Sequence, residues 1–318
     1  MTQESTALDQ EKPSIWSTMN ILLISGIMLT IGIIWRIVDQ FVLGLGDTWM
    51  NILPSKLFPL LIILGFFWFY RRQEIDSVLG LSMKQLRVQL AVGLVMGILV
   101  SVLIDTGGTV FYSLLIDPSY PLELHIINGE LLGYLFIFFM INAFLEETLF
   151  RGLIQNSLKT KITANKSIVI SAIIFGLWHA GWPIVNASPG QSVIMEVSMI
   201  VFFTAILGLL FGIYYERFSS GQSLMGPIVA HTIFNFVNEC FKIGPEPIMQ
   251  GPDMGSATPG LMVVSIIMFV ITFSILFVVF WRYKIEQVSA LWGRTIEKMK
   301  KSVTGLSGIV TAKQDNKN

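Results

Sequence analysis

A single cysteine, Cys240, occurs in the 318 residues, which excludes an internal disulfide and any cysteine-based zinc cluster and leaves the redox compartment open. Charge is scarce too: Asp, Glu, Lys and Arg make up 13% of the chain against 53% hydrophobic residues, and mean hydropathy is +0.69. A water-soluble fold could not hide that much apolar surface, so a soluble globular domain is excluded. The 21 basic and 21 acidic residues cancel, so no global basic field exists to hold a nucleic acid. An internal repeat, a low-complexity segment and an HExxH zinc motif are all missing. The opening stretch, MTQESTALDQEKPSIW, carries Glu4, Asp9, Glu11 and Lys12 but neither the basic flank nor the small-residue cleavage site of a secretory signal, and it reads as a retained polar tail.

What the chain has in abundance is long apolar runs. A spanning helix needs about 20 largely apolar residues, and such runs lie near 18–42, 53–70, 88–116, 130–158, 164–182, 192–216, 220–242 and 260–282. The predicted fold class is therefore all-α, a polytopic membrane helix bundle of about eight transmembrane helices. The second run is shortened by Pro54 and Lys56, and the fifth is marginal by hydropathy. Short cytoplasmic loops carry the Lys and Arg excess. Arg71, Arg72, Lys84 and Arg87 follow run two, Lys159, Lys161 and Lys166 follow run four, and Arg282 and Lys284 follow run eight. The alternate connections carry Asp117, Glu123 and Glu130, then no charge after Pro183, then Glu246 and Asp253 against Lys242 alone. This alternation predicts both termini in the cytoplasm, with a tail over 1–17, one membrane domain over 18–283 and a basic tail over 284–318. In that last segment Arg294, Lys298, Lys300 and Lys301 alternate with Leu291, Trp292, Ile296 and Met299. Two readings stay open there, a helix lying on an anionic leaflet and a solvated end. The expected location is the cell membrane, with the lipid bilayer itself as a partner.

Ionisable groups inside the hydrocarbon cost several kcal/mol unless they are paired or face a watery cavity, so they are the informative residues. The fourth run contributes Glu146, Glu147 and Arg151, the fifth His179, and the seventh His231, Asn235 and Asn238. Counting from the cytoplasmic helix ends at 1.5 Å per residue puts Glu146 roughly 18 Å deep, His179 roughly 22 Å and His231 roughly 16 Å. Three helices thus bring polar groups to one level. Glu147 and Arg151 are an i, i+4 pair, whereas Glu146 is turned about 100° away and has no such partner. His231 and Asn235 share one face. Arg36 with Asp39, Asp105 and Glu196 read as pairs or interface groups near the outer side, and Phe175 and Trp178 as cavity wall.

EETLFR, followed by FGLWH and then HTIFN, resembles the ordered motifs EExxxR, FxxxH and HxxxN or HxxxB of the CPBP intramembrane proteases, also called type II CAAX prenyl endopeptidase-like or Abi proteins. The resemblance spans about residues 130–242 and departs from none of the motif positions. It implies a protease-like core in which Glu146 corresponds to the water-activating glutamate, His179 to its partner, and His231 with Asn235 to the stabilisers of the transition state. Glu147 and Arg151 are then structural support. The implied partner is a membrane-associated peptide or protein substrate: a prenylated C-terminal peptide, a bacteriocin or pheromone precursor, or a membrane-bound regulator.

Amide hydrolysis needs an activated water, a proton for the leaving amine and donors for the oxyanion. Glu146 and His179 would hold the water, and Asn235 with a ring N–H of His231 would face the oxyanion. No Ser or Cys stands beside a base as an alternative nucleophile. Two histidines and a carboxylate also form a known catalytic zinc set. No cofactor is assigned; were zinc bound, Glu146, His179 and His231 would be its ligands. Two other functions fit the same residues. One is a non-catalytic scaffold or bacteriocin-immunity protein that binds a peptide without cutting it, and the other is a proton-coupled transporter using Glu146 and His179 as a relay. The transporter reading lacks the expected repeats and broken helices.

Overall fold

The computed structural model describes residues 14–44, 49–127, 129–185, 192–245 and 258–298. Nine helices carry the architecture: α1 Ile21–Ile37, α2 Trp49–Tyr70, α3 Leu86–Ser101, α4 Gly107–Leu115, α5 Leu132–Glu146, α6 Ala164–Trp178, α7 Val193–Ile213, α8 Met225–Cys240 and α9 Pro259–Arg282. Helix starts follow local chemistry. The Asn20 side chain accepts from Leu22 N at 2.9 Å to cap α1, and Thr258 accepts from Leu261 N at 3.2 Å to cap α9, whose first residue, Pro259, has no N–H to satisfy. Several helices pass through wide π turns: α1 runs on into Val38–Val42, α3 reaches α4 through Val102–Thr106, α5 continues as Glu147–Ile154, and α7 as Tyr214–Phe218.

Among the described residues, five helices are long and apolar enough to cross a bilayer: Leu53–Tyr70, Leu86–Leu115, Gly129–Lys159, Val193–Phe218 and Pro259–Arg282. Five of the eight expected runs thus form helices of full spanning length. The three remaining runs form α1, α6 and α8, of 17, 15 and 16 residues; α1 is lengthened by its π continuation Val38–Val42, whereas at 1.5 Å per residue α6 and α8 reach about 22–24 Å, short of a hydrocarbon core of ~30 Å. The second run, expected to be short, is instead a full 22-residue helix that holds Pro54 and Pro59 within it, as membrane helices tolerate. The protein is an integral membrane helix bundle. Among the described residues the helices are joined by a short antiparallel pair, β1 Glu123–Ile126 with β2 Phe241–Gly244, in which Leu124 faces Ile243 and His125 faces Lys242, and by an isolated bridge between Leu81 and Ser223.

Small residues set the helix spacing. A Cβ on Gly97 of α3 would fall 2.8 Å from the Ala230 carbonyl of α8, and one on Gly176 of α6 would fall 2.6 Å from the Val201 carbonyl of α7. These two contacts let backbones approach closely where hydrophobic attraction between helices is weak. The loops richest in Lys and Arg meet at one end of the bundle. There Arg71 donates to Met19 O at 2.8 Å, Lys159 pairs with Glu216 at 2.8 Å, Arg217 donates to Asn165 at 2.6 Å and Leu224 N donates to Gly80 O at 2.8 Å. α8 runs from that end to the β pair, where Ile127 N donates to Cys240 O at 2.9 Å. Residues 285–298 form a further helix on which Leu291, Trp292 and Ile296 are exposed. Met299, Lys300 and Lys301, together with the Asp105 side chain, lie outside the described residues.

Candidate active site

Glu146 is the last residue of α5, and the π turn that starts at Glu147 changes the helical register immediately after it. Both neighbours are buried, with 1% and 0% of their surface exposed, so each carboxylate needs partners inside the protein. They find different ones. Glu147 pairs with Arg151 Nε at 3.3 Å through Oε2 and accepts from His231 Nδ1 at 2.8 Å through Oε1. The Arg151 guanidinium lies 4.0 Å over the Phe175 ring and 5.5 Å from Phe211, and Phe211 stacks on His231 with centroids 5.2 Å apart. Arg151 is therefore held by one carboxylate and two aromatic faces.

Glu146 looks the other way. Its Oε2 lies 3.9 Å from His179 Nε2 and 3.7 Å from His231 Nε2. These separations are too long for direct hydrogen bonds and short enough for one water to touch both partners. The imidazole partners assign the tautomers. His179 Nδ1 is 2.9 Å from the Phe175 carbonyl, which can only accept, and His231 Nδ1 faces the Glu147 carboxylate. Both rings thus donate from Nδ1, and in their neutral forms both present an Nε2 lone pair toward Glu146. A ring N–H at His231 Nε2 belongs to the imidazolium form alone. Of the three groups His179, at the C-terminal end of α6, is the most open, with 20% of its side chain exposed against 3% for His231 and 1% for Glu146.

Two nitrogen lone pairs and a carboxylate are the right kind of donors for zinc, but their spacing is wide. Tetrahedral bonds of ~2.1 Å put ligand atoms about 3.4 Å apart. Among the described residues, no group of three or more His, Cys, Asp or Glu side chains is arranged to hold a metal ion.

The structure brings together Glu146, Glu147, Arg151, His179 and His231. Asn235 sits one turn beyond His231 on α8, half-buried. Three features were not anticipated. Trp178 Nε1 donates to Glu146 Oε1 at 3.3 Å, so it is a hydrogen-bonding group as well as wall. Lys56 of α2 lies 3.7 Å from the same oxygen, which gives Glu146 a cationic partner that its own helix does not supply. Arg36, expected with Asp39, lies within the field of Asp39 and also of Glu146, and its guanidinium sits 5.0 Å from the centre of the Trp178 ring. Lys56 carried a usable signal: an ionisable residue inside an apolar run marks a functional site by default.

Comparison with known proteins bears on this centre. Residues 128–237 match the family model described as type II CAAX prenyl endopeptidase Rce1-like, a stretch that includes Glu146, His179, His231 and Asn235. Among curated proteins, no match to the chain is found.

Proposed function

We propose that this chain is an intramembrane endopeptidase in which Glu146 activates a water for attack on a peptide bond. The observation that carries the reading is the convergence of Glu146 Oε2 with the Nε2 atoms of His179 and His231, all within 3.9 Å, inside a segment matching an endopeptidase family. A water held there donates one hydrogen to Glu146 and the other to an imidazole lone pair, which leaves its own lone pair directed at the carbonyl carbon. Glu146 takes the proton as the C–O bond forms and returns it to the leaving amine as the C–N bond breaks. Asn235 donates to the oxyanion. His231 joins it as the imidazolium, its Nε2 proton taken from solvent before the substrate binds and its Nδ1–H held by Glu147 throughout, so that Glu146 and His179 hold the water. The substrate is a membrane-associated peptide or protein that enters by the His179 edge, and the name of the matched family points to prenylated C-terminal peptides. The test is comparative peptide profiling of membranes from cells carrying the wild type or Glu146→Gln. Peptides released by the wild type and missing from the variant are the expected result; identical profiles would favour the scaffold reading.

The proposed chemistry runs without a metal. Purified, active protein is expected to contain well under one equivalent of zinc, and incubation with a chelator should leave its rate unchanged. Stoichiometric zinc with loss of activity on chelation, reversed by adding zinc back, would turn Glu146, His179 and His231 into ligands.

The proposed orientation has both termini in the cytoplasm, because the loops richest in Lys and Arg meet at one end of the bundle. Reporter fusions after Arg72 and after Pro183 should fall on opposite sides of the membrane. Finding both on one side would overturn the orientation.

A further inference from the structure

The match to the endopeptidase family begins at residue 128, yet the best-placed cation at Glu146 comes from a helix that ends at Tyr70. The two oxygens of Glu146 are used differently. Oε2 faces His179 and His231. Oε1 faces Lys56 Nζ at 3.7 Å and accepts from Trp178 Nε1 at 3.3 Å. Lys56 is itself buried, with 7% of its surface exposed, and a buried ammonium is retained only where it has a charge to meet. Arg36 and Asp39 of the α1 run complete its charged surroundings. The terminal torsion of a glutamate is broad and nearly two-fold, so a carboxylate anchored through one oxygen has its other oxygen fixed in direction.

We infer that Lys56 is a positioning residue for the proposed hydrolysis: it anchors Oε1 of Glu146 so that Oε2 stays aimed at the water between the two histidines. The inference rests on the endopeptidase reading. It also means that the site is built from two parts of the chain, the matched segment and the α1–α2 pair ahead of it.

The test uses full-length protein in detergent or liposomes, with Lys56→Met, Lys56→Arg, Lys56→Gln and Glu146→Gln beside the wild type. The probes are membrane peptides released by cells carrying the wild type and missing from cells without the protein. Loss of positioning should lower kcat roughly 100-fold in Lys56→Met with little change in KM, since Lys56 acts through Glu146 and does not grip the peptide. Lys56→Arg keeps the charge and should recover at least part of that loss at unchanged KM. Where Lys56→Met folds poorly, Lys56→Gln, a neutral donor of similar length, carries the comparison at matched thermal stability. An inactive Glu146→Gln beside a Lys56→Met of wild-type kcat overturns the role of Lys56 and leaves the endopeptidase reading standing. Equal loss in Lys56→Met and Lys56→Arg also overturns it, because charge would then not be what Lys56 supplies. A fully active Glu146→Gln removes the endopeptidase reading and this inference together.

Discussion

Glu146→Gln is expected to leave a folded, membrane-inserted protein that no longer cleaves. The substitution keeps the size of the side chain and an oxygen that accepts from Trp178, but an amide takes no proton from water. General-base catalysis contributes about 10²–10⁴-fold to rate, and a loss of that order in kcat is the expected reading, with peptide binding retained. Glutamine is a cleaner choice than alanine. Lys56 lies 3.7 Å from Oε1, so Glu146→Ala would both remove the base and leave a buried ammonium facing a gap. Asp39 remains in the field of Lys56 in either variant, which limits the damage to folding. Expression, thermal unfolding in detergent and cleavage should be measured on the same preparations. Cleavage by Glu146→Gln at the wild-type rate would sink the mechanism.

Glu147→Ala should behave in the opposite way, losing stability first. Among the described residues, Glu147 is the carboxylate paired with Arg151, at 3.3 Å, and both side chains are at least 99% buried. Removing one member of a buried pair typically costs ~3–5 kcal/mol, because the remaining charge is left uncompensated. The aromatic faces of Phe175 and Phe211 on Arg151 recover only part of that. The same change releases His231 Nδ1, which Glu147 holds at 2.8 Å, so whatever protein folds should also have lost the fixed orientation of one imidazole. Glu147→Gln separates the two effects. Its amide oxygen still accepts from His231 Nδ1, while the charge opposite Arg151 is gone. Expected results are a sharp drop in yield and unfolding temperature for Glu147→Ala, and for Glu147→Gln an intermediate temperature with kcat better preserved per folded molecule. A Glu147→Ala protein as stable as the wild type would show that Arg151 does not depend on this pair.

These neighbouring glutamates also mark how far a linear reading goes. The separation of Glu147, with Arg151 one turn on, from a Glu146 that turns away is a matter of helical periodicity, and the observed pairing agrees with it. The depth count that brought Glu146, His179 and His231 to one level needed only helix ends and a rise per residue. What the structure adds is their meeting: α6 and α8 deliver both histidines to within 3.9 Å of Glu146 on α5. The length of those helices was less legible. α8 ends at Cys240, where the chain passes into β2, and α6 ends at Trp178; run lengths in the sequence blurred both boundaries.

By itself, the sequence determined the membrane class, the helical architecture and the identity of the polar groups inside it. Each of these follows from local composition, from periodicity within one helix, or from motifs in chain order. The tertiary structure alone decided which oxygen of Glu146 faces which partner, that both histidines donate from Nδ1, that the register shifts after Glu146, and that Lys56, Arg36 and Trp178 gather around it. The physical reason is that hydrogen-bond direction and ion pairing depend on atoms from segments far apart in the chain. Their separation is set by the close helix packing at Gly97 and Gly176 and by the π turn at Glu147, and the spacing of residues along one helix carries no record of them.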